Sequence, residues 1–201
     1  MHILFLTNNL EITTPLIDWL KKHERVTIWQ KKLTEEFISV LKPEFVISYN
    51  YKYIIPQRVL KLLPPKKVIN LHISLLPWNR GAHPNLWSFL EDTPKGVTIH
   101  LIDKGLDTGP ILLQKEVFID EEKHTLESSY KLLHKEIQQL FMENWHLLKE
   151  GRIKPRPQQG EGTIHYKRDF EKIKHLLEPY GWKIPIKVLK ERYRQQFLEK
   201  R

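Results

Sequence analysis

Three polar side chains define the chemistry open to this chain. Asn70 and His72 stand two residues apart in Asn70-Leu71-His72-Ile73-Ser74-Leu75-Leu76-Pro77, at the end of an apolar run. Residues i and i+2 of a strand share a face, so an amide and an imidazole project together from the strand end. The third side chain, Asp107, lies in Asp103-Lys104-Gly105-Leu106-Asp107-Thr108-Gly109-Pro110, whose turn residues place a carboxylate at a sharp bend. Amide, imidazole and carboxylate together suit acyl transfer without a covalent intermediate. An incoming amine attacks a carbonyl-type carbon, and negative charge develops on oxygen. N–H groups of Asn70 and His72 can meet that charge, and losing one such donor costs about 10²–10³ in rate. Asp107 can hold the imidazole charged or take the amine's proton through water. Taken singly, each residue has a plainer reading: Asn70 as a turn or cap residue, His72 as a satisfied polar side chain, Asp107 as turn chemistry.

The elements that would position these groups follow from the apolar pattern. Short apolar runs at residues 2–7, 25–29, 45–49 and 67–71 read as strands. Helical stretches are expected between them. The first is placed at 13–22, with Thr13-Thr14-Pro15 as cap and first turn. The others are placed at 34–41 and 56–63, the last stopped by Pro64-Pro65. This alternation predicts an α/β fold with a mostly parallel sheet flanked by helices, and ligands in such sheets sit beyond the carboxyl ends of the strands. Residues 72–84 read as irregular. A short helix at 85–91 and strands at 96–102 and 111–118 follow, then a long amphipathic helix at 125–149. Residues 1–150 are expected to form the catalytic domain. Residues 151–201 are expected to form an extension of loop and helices packed on it, starting with a Pro/Gly/Gln-rich linker at 151–162. The tail should end in a basic amphipathic helix carrying Ile186, Leu189, Tyr193 and Phe197.

Composition removes several function classes. The 201 residues contain no cysteine, so disulfides, thiolate nucleophiles and Cys-ligated metals are excluded. Only 8 glycines occur and the first is Gly81, so neither a dinucleotide fingerprint nor a phosphate loop follows the first strand. Histidines are numerous, but no metal-ligand spacing accompanies them, and no metal is expected. No apolar run reaches the roughly 18 residues of a membrane helix. The amino terminus lacks a signal-peptide pattern, so a cytoplasmic protein is expected. The net charge is +9, and residues 149–201 hold 15 Lys+Arg against 7 Asp+Glu. Such a segment can meet phosphate, or simply form a solvated face.

The string Asn70-x-His72-x-Ser74-Leu75-Leu76-Pro77, then Arg80-Gly81, Gly96-Val97-Thr98-Ile99-His100 and Leu106-Asp107-Thr108-Gly109-Pro110-Ile111 resembles the N10-formyltetrahydrofolate-dependent formyltransferase family in order and spacing. The resemblance covers most of residues 1–150. It implies a Rossmann-like formyltransferase fold and Asn70, His72 and Asp107 as the catalytic trio. It implies N10-formyltetrahydrofolate as formyl donor, its pterin held mainly by backbone at Lys52, Tyr53 and Ile54 and at Ile102, Asp103, Gly105 and Leu106. A cis Leu76–Pro77 bond is also favoured by the family. Where the family usually has proline after the histidine, this chain has Ile73.

The acceptor amine separates the family's branches. About fifty residues follow the long helix, fewer than the barrel domain of methionyl-tRNA formyltransferases. Thr7-Asn8-Asn9-Leu10-Glu11 lacks the glycine-bearing phosphate loop of glycinamide ribonucleotide formyltransferases. The strings Ser74–Gly81, Thr93–Asp103 and Gly162–Lys167 are similar to small sugar N-formyltransferases and to the formylation domain of nonribosomal peptide synthetases. A nucleotide-linked amino sugar is therefore the expected acceptor, with methionyl-tRNA, glycinamide ribonucleotide or an aminoacyl-carrier substrate as alternatives. Arg80 is the leading phosphate contact, since its planar fork pairs with phosphate oxygens. Asn8, Asn9, Trp78, His83 and His165 are further substrate-facing candidates, against a reading of ordinary surface polarity. A basic RNA-binding module is the non-enzymatic alternative, and it lacks an aromatic sheet motif. Nucleic acid and membrane are disfavoured as partners. A homodimer built on the tail helix fits the sequence, as does a monomer.

Overall fold

The computed structural model of the chain describes residues 1–198. In chain order the elements are β1 (His2–Leu6), α1 (Leu10–Lys21), β2 (Arg25–Trp29), α2 (Glu35–Leu41), β3 (Phe45–Tyr49), α3 (Gln57–Leu60), β4 (Val68–His72), β5 (Arg80–Gly81), α4 (Pro84–Leu90), β6 (Gly96–Leu101), β7 (Ile111–Glu116), α5 (Leu126–Glu150), β8 (Ile164–His165), α6 (Lys167–Glu171) and α7 (Ile186–Tyr193). The fold is α/β, with a six-stranded sheet in the order β2-β1-β3-β4-β6-β7 and a two-stranded pair β5-β8. β1 pairs in parallel with β2 and β3, and β3 with β4. The order reverses at β1, so a topological switch point lies between the carboxyl ends of β1 and β3.

The residues group into two compact units. The first contains Met1–His72, Ile99–Leu113 and Ile137–Gln158; the second contains Ile73–Thr98, Gln114–Glu136 and the residues from Gln159 onward. The expected boundary at residue 150 thus falls inside the first unit.

In the first unit the strands are apolar on both faces, as a sheet covered on two sides requires. Leu4, Leu6, Val46 and Val68 share one cluster with Ile38 of α2, Val59 of α3, and Ile55 and Leu63. On the opposite face Phe45 meets Trp145 of α5 edge-on at 5.1 Å, and Phe141 stacks on Trp145 at 5.2 Å. Tyr49 is fully buried there, and its hydroxyl accepts a hydrogen bond from Gln138 Nε2 at 3.2 Å. In the second unit Asn85 of α4 is buried and donates to the Leu126 carbonyl and Ser129 Oγ, both at 3.0 Å. Ile186 and Leu189 of α7 are buried there, and Tyr193 lies against Phe197 at 5.0 Å, so the expected tail helix is present. Among the described residues no helix is long and apolar enough to cross a membrane.

Three elements differ from expectation. α1 starts at Leu10, not Thr13, because the Asn9 side chain caps it by accepting from Ile12 N at 3.2 Å. Pro15 therefore lies inside the helix, where the Thr13 and Thr14 hydroxyls donate back to the carbonyls of Asn9 and Leu10. α3 is one turn long, shorter than the expected 56–63, and Pro56 precedes it without a side-chain cap. The expected irregular stretch at 72–84 contains β5, which pairs with β8 more than eighty residues later. Two-residue strands carry no periodic signal of their own. The Leu76–Pro77 peptide is cis, as the resemblance implied.

Candidate active site

The candidate site is built in the first unit from two neighbouring strands and one loop. β4 places Asn70 and His72 on the same face, and β6, next to β4 in the sheet, ends at His100 and Leu101. The chain then turns through Asp103–Pro110 before entering β7. Asp103 Oδ1 organises that turn by accepting from Gly105 N at 2.9 Å and from Thr108 Oγ1 at 2.7 Å. Asp107 sits in the left-handed region at φ 54°. That backbone costs about 1–3 kcal/mol for a non-glycine residue and persists where the surroundings over-determine it. Gly109 allows the loop to close. A Cβ there would run into the carbonyl oxygen of Leu101.

Asn70, His72 and Asp107 converge, together with His100. Asn70 Nδ2 donates to Asp107 Oδ1 at 3.1 Å and to His100 Nε2 at 3.2 Å. His100 Nδ1 donates to the Leu101 carbonyl at 2.8 Å, which leaves Nε2 as the acceptor that Asn70 uses. His72 Nδ1 stands 3.6 Å from Asp107 Oδ2, within ion-pair range but beyond a hydrogen bond. The side-chain exposures of His72, Asp107 and His100 are 8%, 12% and 3%, so their interactions are little screened by water. Both amide hydrogens of Asn70 are thus engaged. The bond to the neutral imidazole of His100 is weaker than the one to the carboxylate, so it is the one more readily given up.

The remaining first-unit candidates lie around the strand ends. Asn8 joins three of them: its N–H donates to the Asn50 carbonyl, its Nδ2 to the Gln30 carbonyl, and its Oδ1 accepts from Lys52 N. Asn9 caps α1. Both side chains are therefore engaged in holding the strand ends. Tyr53 stacks edge-on with Tyr51 at 5.4 Å and lies under the ammonium of Lys52 at 5.1 Å. Burial pushes the Tyr51 hydroxyl up to about 12. Ile54 is exposed and Ile102 packs against the cluster of β1, β3 and α3.

The second unit holds Trp78, Arg80, His83 and His165. Trp78 N donates to the Leu75 carbonyl in the turn after the cis bond. Arg80 begins β5, and its Nη1 donates to the Glu161 carbonyl at 3.1 Å. His83 is left-handed at φ 53° ahead of α4 and stacks on Phe170 at 4.2 Å and on Trp182 at 5.7 Å. Burial, then the nearby Lys167 charge, hold its imidazole below the usual histidine range. His165 lies flat on Trp87 at 4.0 Å, with Nε2 2.9 Å from Glu91 Oε1 but without hydrogen-bond geometry.

Two residues join the site that sequence reasoning did not place there. His100 was read only as part of a strand string. Its place on β6, two residues after Thr98, is the alternation signal that could have exposed it. Gln158 belongs to the stretch read as a linker. Its Nε2 donates to the carbonyls of Asp107 and Gly109 at 2.8 and 2.9 Å, fastening the Asp103–Pro110 loop. Nearby, Arg156 and Ile111 exchange backbone hydrogen bonds at 2.9 and 2.8 Å. Among the described residues no group of three His, Asp or Glu side chains is arranged to hold a metal ion.

Residues 12–144 match the formyl transferase family, about two thirds of the chain. The chain belongs to that family. It is 38% identical over 180 residues to the methionyl-tRNA formyltransferase of Thermodesulfovibrio yellowstonii, covering 81% of this chain and 57% of that protein. The chain therefore spans little more than half the length of that relative. It is 28% identical to the dTDP-4-amino-4,6-dideoxyglucose formyltransferase of Mycobacterium bovis, covering 88% of this chain and 79% of that one. Among solved structures, the formyltransferase PseJ from Anoxybacillus kamchatkensis, in complex with UDP-4,6-dideoxy-4-formamido-L-AltNAc and tetrahydrofolate, matches with a TM-score of 0.84 and 43% identity. That match covers 94% of this chain and 97% of PseJ.

Proposed function

We propose that this chain transfers a formyl group from N10-formyltetrahydrofolate to the amine of a nucleotide-linked amino sugar. The observation that carries this reading is the match to PseJ, 43% identical at a TM-score of 0.84, a structure in complex with a nucleotide-linked formamido sugar and tetrahydrofolate. The converging trio supplies the chemistry. The main-chain N–H groups of Tyr53, Ile54 and Leu106 make no hydrogen bond among the described residues, so backbone donors stand ready for a polar heterocycle such as a pterin.

The donor supplies an activated formyl group on nitrogen. Asn70 and His72 present N–H groups to the formyl oxygen as the acceptor amine attacks, and tetrahydrofolate is the leaving group. Asp107, 3.6 Å from His72 Nδ1, faces the ring and accepts the amine's proton, directly or through water. Arg80, Asn8, Asn9, Trp78, His83 and His165 remain the substrate-facing candidates in this reading. Arg80 is the candidate for the nucleotide's phosphates, and residues 151–198 act as part of the same enzyme.

A second reading, formylation of methionyl-tRNA, is favoured by the higher identity to that relative, 38% against 28% for the mycobacterial sugar enzyme. One experiment separates them. The protein is incubated with N10-formyltetrahydrofolate and either nucleotide-linked 4-amino sugars or methionyl-tRNA, and tetrahydrofolate release is followed. Turnover with a sugar and none with the tRNA is expected. Turnover with the tRNA alone overturns the sugar reading, and turnover with neither overturns both.

A further inference from the structure

In the first unit, Asn50 directly follows Tyr49 of β3, the residue paired with Leu71, just as His72 follows Leu71 in β4. Neighbouring strands lie about 5 Å apart, so Asn50 and His72 stand side by side at the carboxyl end of the sheet. The strand order reverses here, and Asn8 N beyond β1 donates to the Asn50 carbonyl at 2.9 Å. The side-chain Nδ2 of Asn50 is enclosed and makes no hydrogen bond. Its Oδ1 is not enclosed and accepts none among the described residues. The backbone of Asn50 is left-handed, at φ 54°, and asparagine tolerates that region better than most residues. Backbone alone therefore accounts for the residue type. It does not account for a side-chain amide with neither end engaged, since an enclosed donor without a partner is unfavourable.

We infer that Asn50 is a specificity-determining residue for the acceptor, its amide pairing with a hydroxyl on the carbon next to the reacting amine. The inference rests on the sugar reading above. An asparagine amide turns about a broad, two-fold torsion, so a half-turn exchanges its oxygen and nitrogen. That turn moves Nδ2 to the open side, where the amide can donate or accept. A sugar hydroxyl also does both, so the two groups match in either sense. The other amides of this corner are committed. Asn8 Nδ2 donates to the Gln30 carbonyl, its Oδ1 accepts from Lys52 N, and Asn9 Oδ1 caps α1. The formyl donor, in the same reading, meets main-chain N–H groups of Tyr53, Ile54 and Leu106. The side-chain contact left in this corner is Asn50, and it faces the acceptor. An amine brought to the formyl carbon beside His72 brings its neighbouring ring carbon to the end of β3. An acceptor lacking the hydroxyl leaves the amide unpaired, the arrangement that discriminates most sharply between substrates.

The test uses UDP- and dTDP-linked 4-amino-4,6-dideoxyhexoses, whose hydroxyl next to the amine is the one on C3, and their 3-deoxy counterparts. Both are assayed with N10-formyltetrahydrofolate in wild-type protein and in Asn50→Gly. Glycine adopts the left-handed backbone freely, so the variant should fold, and its thermal midpoint checks this. In wild-type protein the 3-deoxy acceptor should have a KM about tenfold higher, with kcat little changed. In Asn50→Gly the 3-hydroxy acceptor should show that same rise, and the two acceptors should no longer differ. Equal KM values for the two acceptors in wild-type protein overturn the inference, with no variant needed. A preference that survives in Asn50→Gly overturns it too, because a merely structural role raises both KM values together. Calorimetric titration with 5-formyltetrahydrofolate should give one affinity in both proteins; a loss of about tenfold in the variant would give the amide to the donor and refute the assignment. Turnover of neither nucleotide sugar by wild-type protein sinks the sugar reading and this inference with it. Turnover without a preference for the C3 hydroxyl sinks the inference alone.

Discussion

Replacing Gln158 with alanine removes the two hydrogen bonds by which its amide holds the carbonyls of Asp107 and Gly109. Each is worth about 1 kcal/mol net, so about 2 kcal/mol of restraint is lost. The backbone it restrains is the left-handed Asp107, whose intrinsic cost of about 1–3 kcal/mol is of the same size. Without the clamp the loop can relax, and the carboxylate drifts from Asn70 Nδ2 and His72 Nδ1. At 1.36 kcal/mol per tenfold in rate, 2 kcal/mol corresponds to a fall in kcat of about 30-fold. Gln158 is only half-buried, so water satisfies the freed carbonyls and the fold itself should hold. The assay is the initial rate of tetrahydrofolate release at saturating substrates, with donor affinity measured separately by calorimetry. Gln158→Glu should lose more, because a carboxylate cannot donate and its charge repels both carbonyls. Gln159→Ala, at the exposed neighbouring position, serves as the control. A Gln158→Ala enzyme within twofold of the wild-type kcat would refute the argument that the clamp sets the position of Asp107.

Asn70→Ala and His72→Ala should each lower turnover by about 10²–10³ while donor binding by calorimetry changes only a few-fold; wild-type turnover in both removes the trio. Gly109→Ala forces the chain away from the Leu101 carbonyl, so both kcat and the thermal midpoint should fall, and an unchanged melting curve with unchanged kcat contradicts the close approach. Burial holds the His134 imidazole down at about 3 from its ordinary 6.5. The unfolded chain takes up this proton below pH 6.5 while the folded chain does not, so stability falls as pH drops from 6.5 towards 3. The loss at pH 5 is about 2 kcal/mol. Urea midpoints at pH 7 and pH 5 should therefore converge in His134→Leu relative to wild-type protein, and an identical pH dependence in the two proteins counts against it.

The sheet was legible because its strands are short apolar runs separated by helical ones, and Ile3, Leu4, Phe5 and Leu6 could be read as a strand buried on both faces without knowing its neighbours. The pairing of Asn70 with His72 followed from strand alternation alone. The start of α1 was misplaced because Thr13-Thr14-Pro15 carries the usual signs of a helix start, whereas the Asn9 cap is visible only through its bond to Ile12 N. Residues 151–162 were read as a linker from their Pro, Gly and Gln content. Composition of that kind reports irregular backbone, and it says nothing about whether the backbone is fastened. Arg156 and Gln158 are fastened, by partners some fifty residues back in the chain. His100 was passed over for a related reason, since the bond that places it comes from Asn70, thirty residues away.

The order in which the first unit's pieces occur along the chain has a consequence for its synthesis. Asn70 and His72 emerge from the ribosome first and Asp107 later, and the amide that holds the Asp107 loop comes only with Gln158. At about 5–20 residues per second, several seconds separate the first of these from the last. A nascent chain halted at Glu150 carries all three side chains yet lacks the amide that fastens the loop of the third. Competence for turnover should then appear late and abruptly in translation, near the emergence of residue 158, rather than growing with chain length.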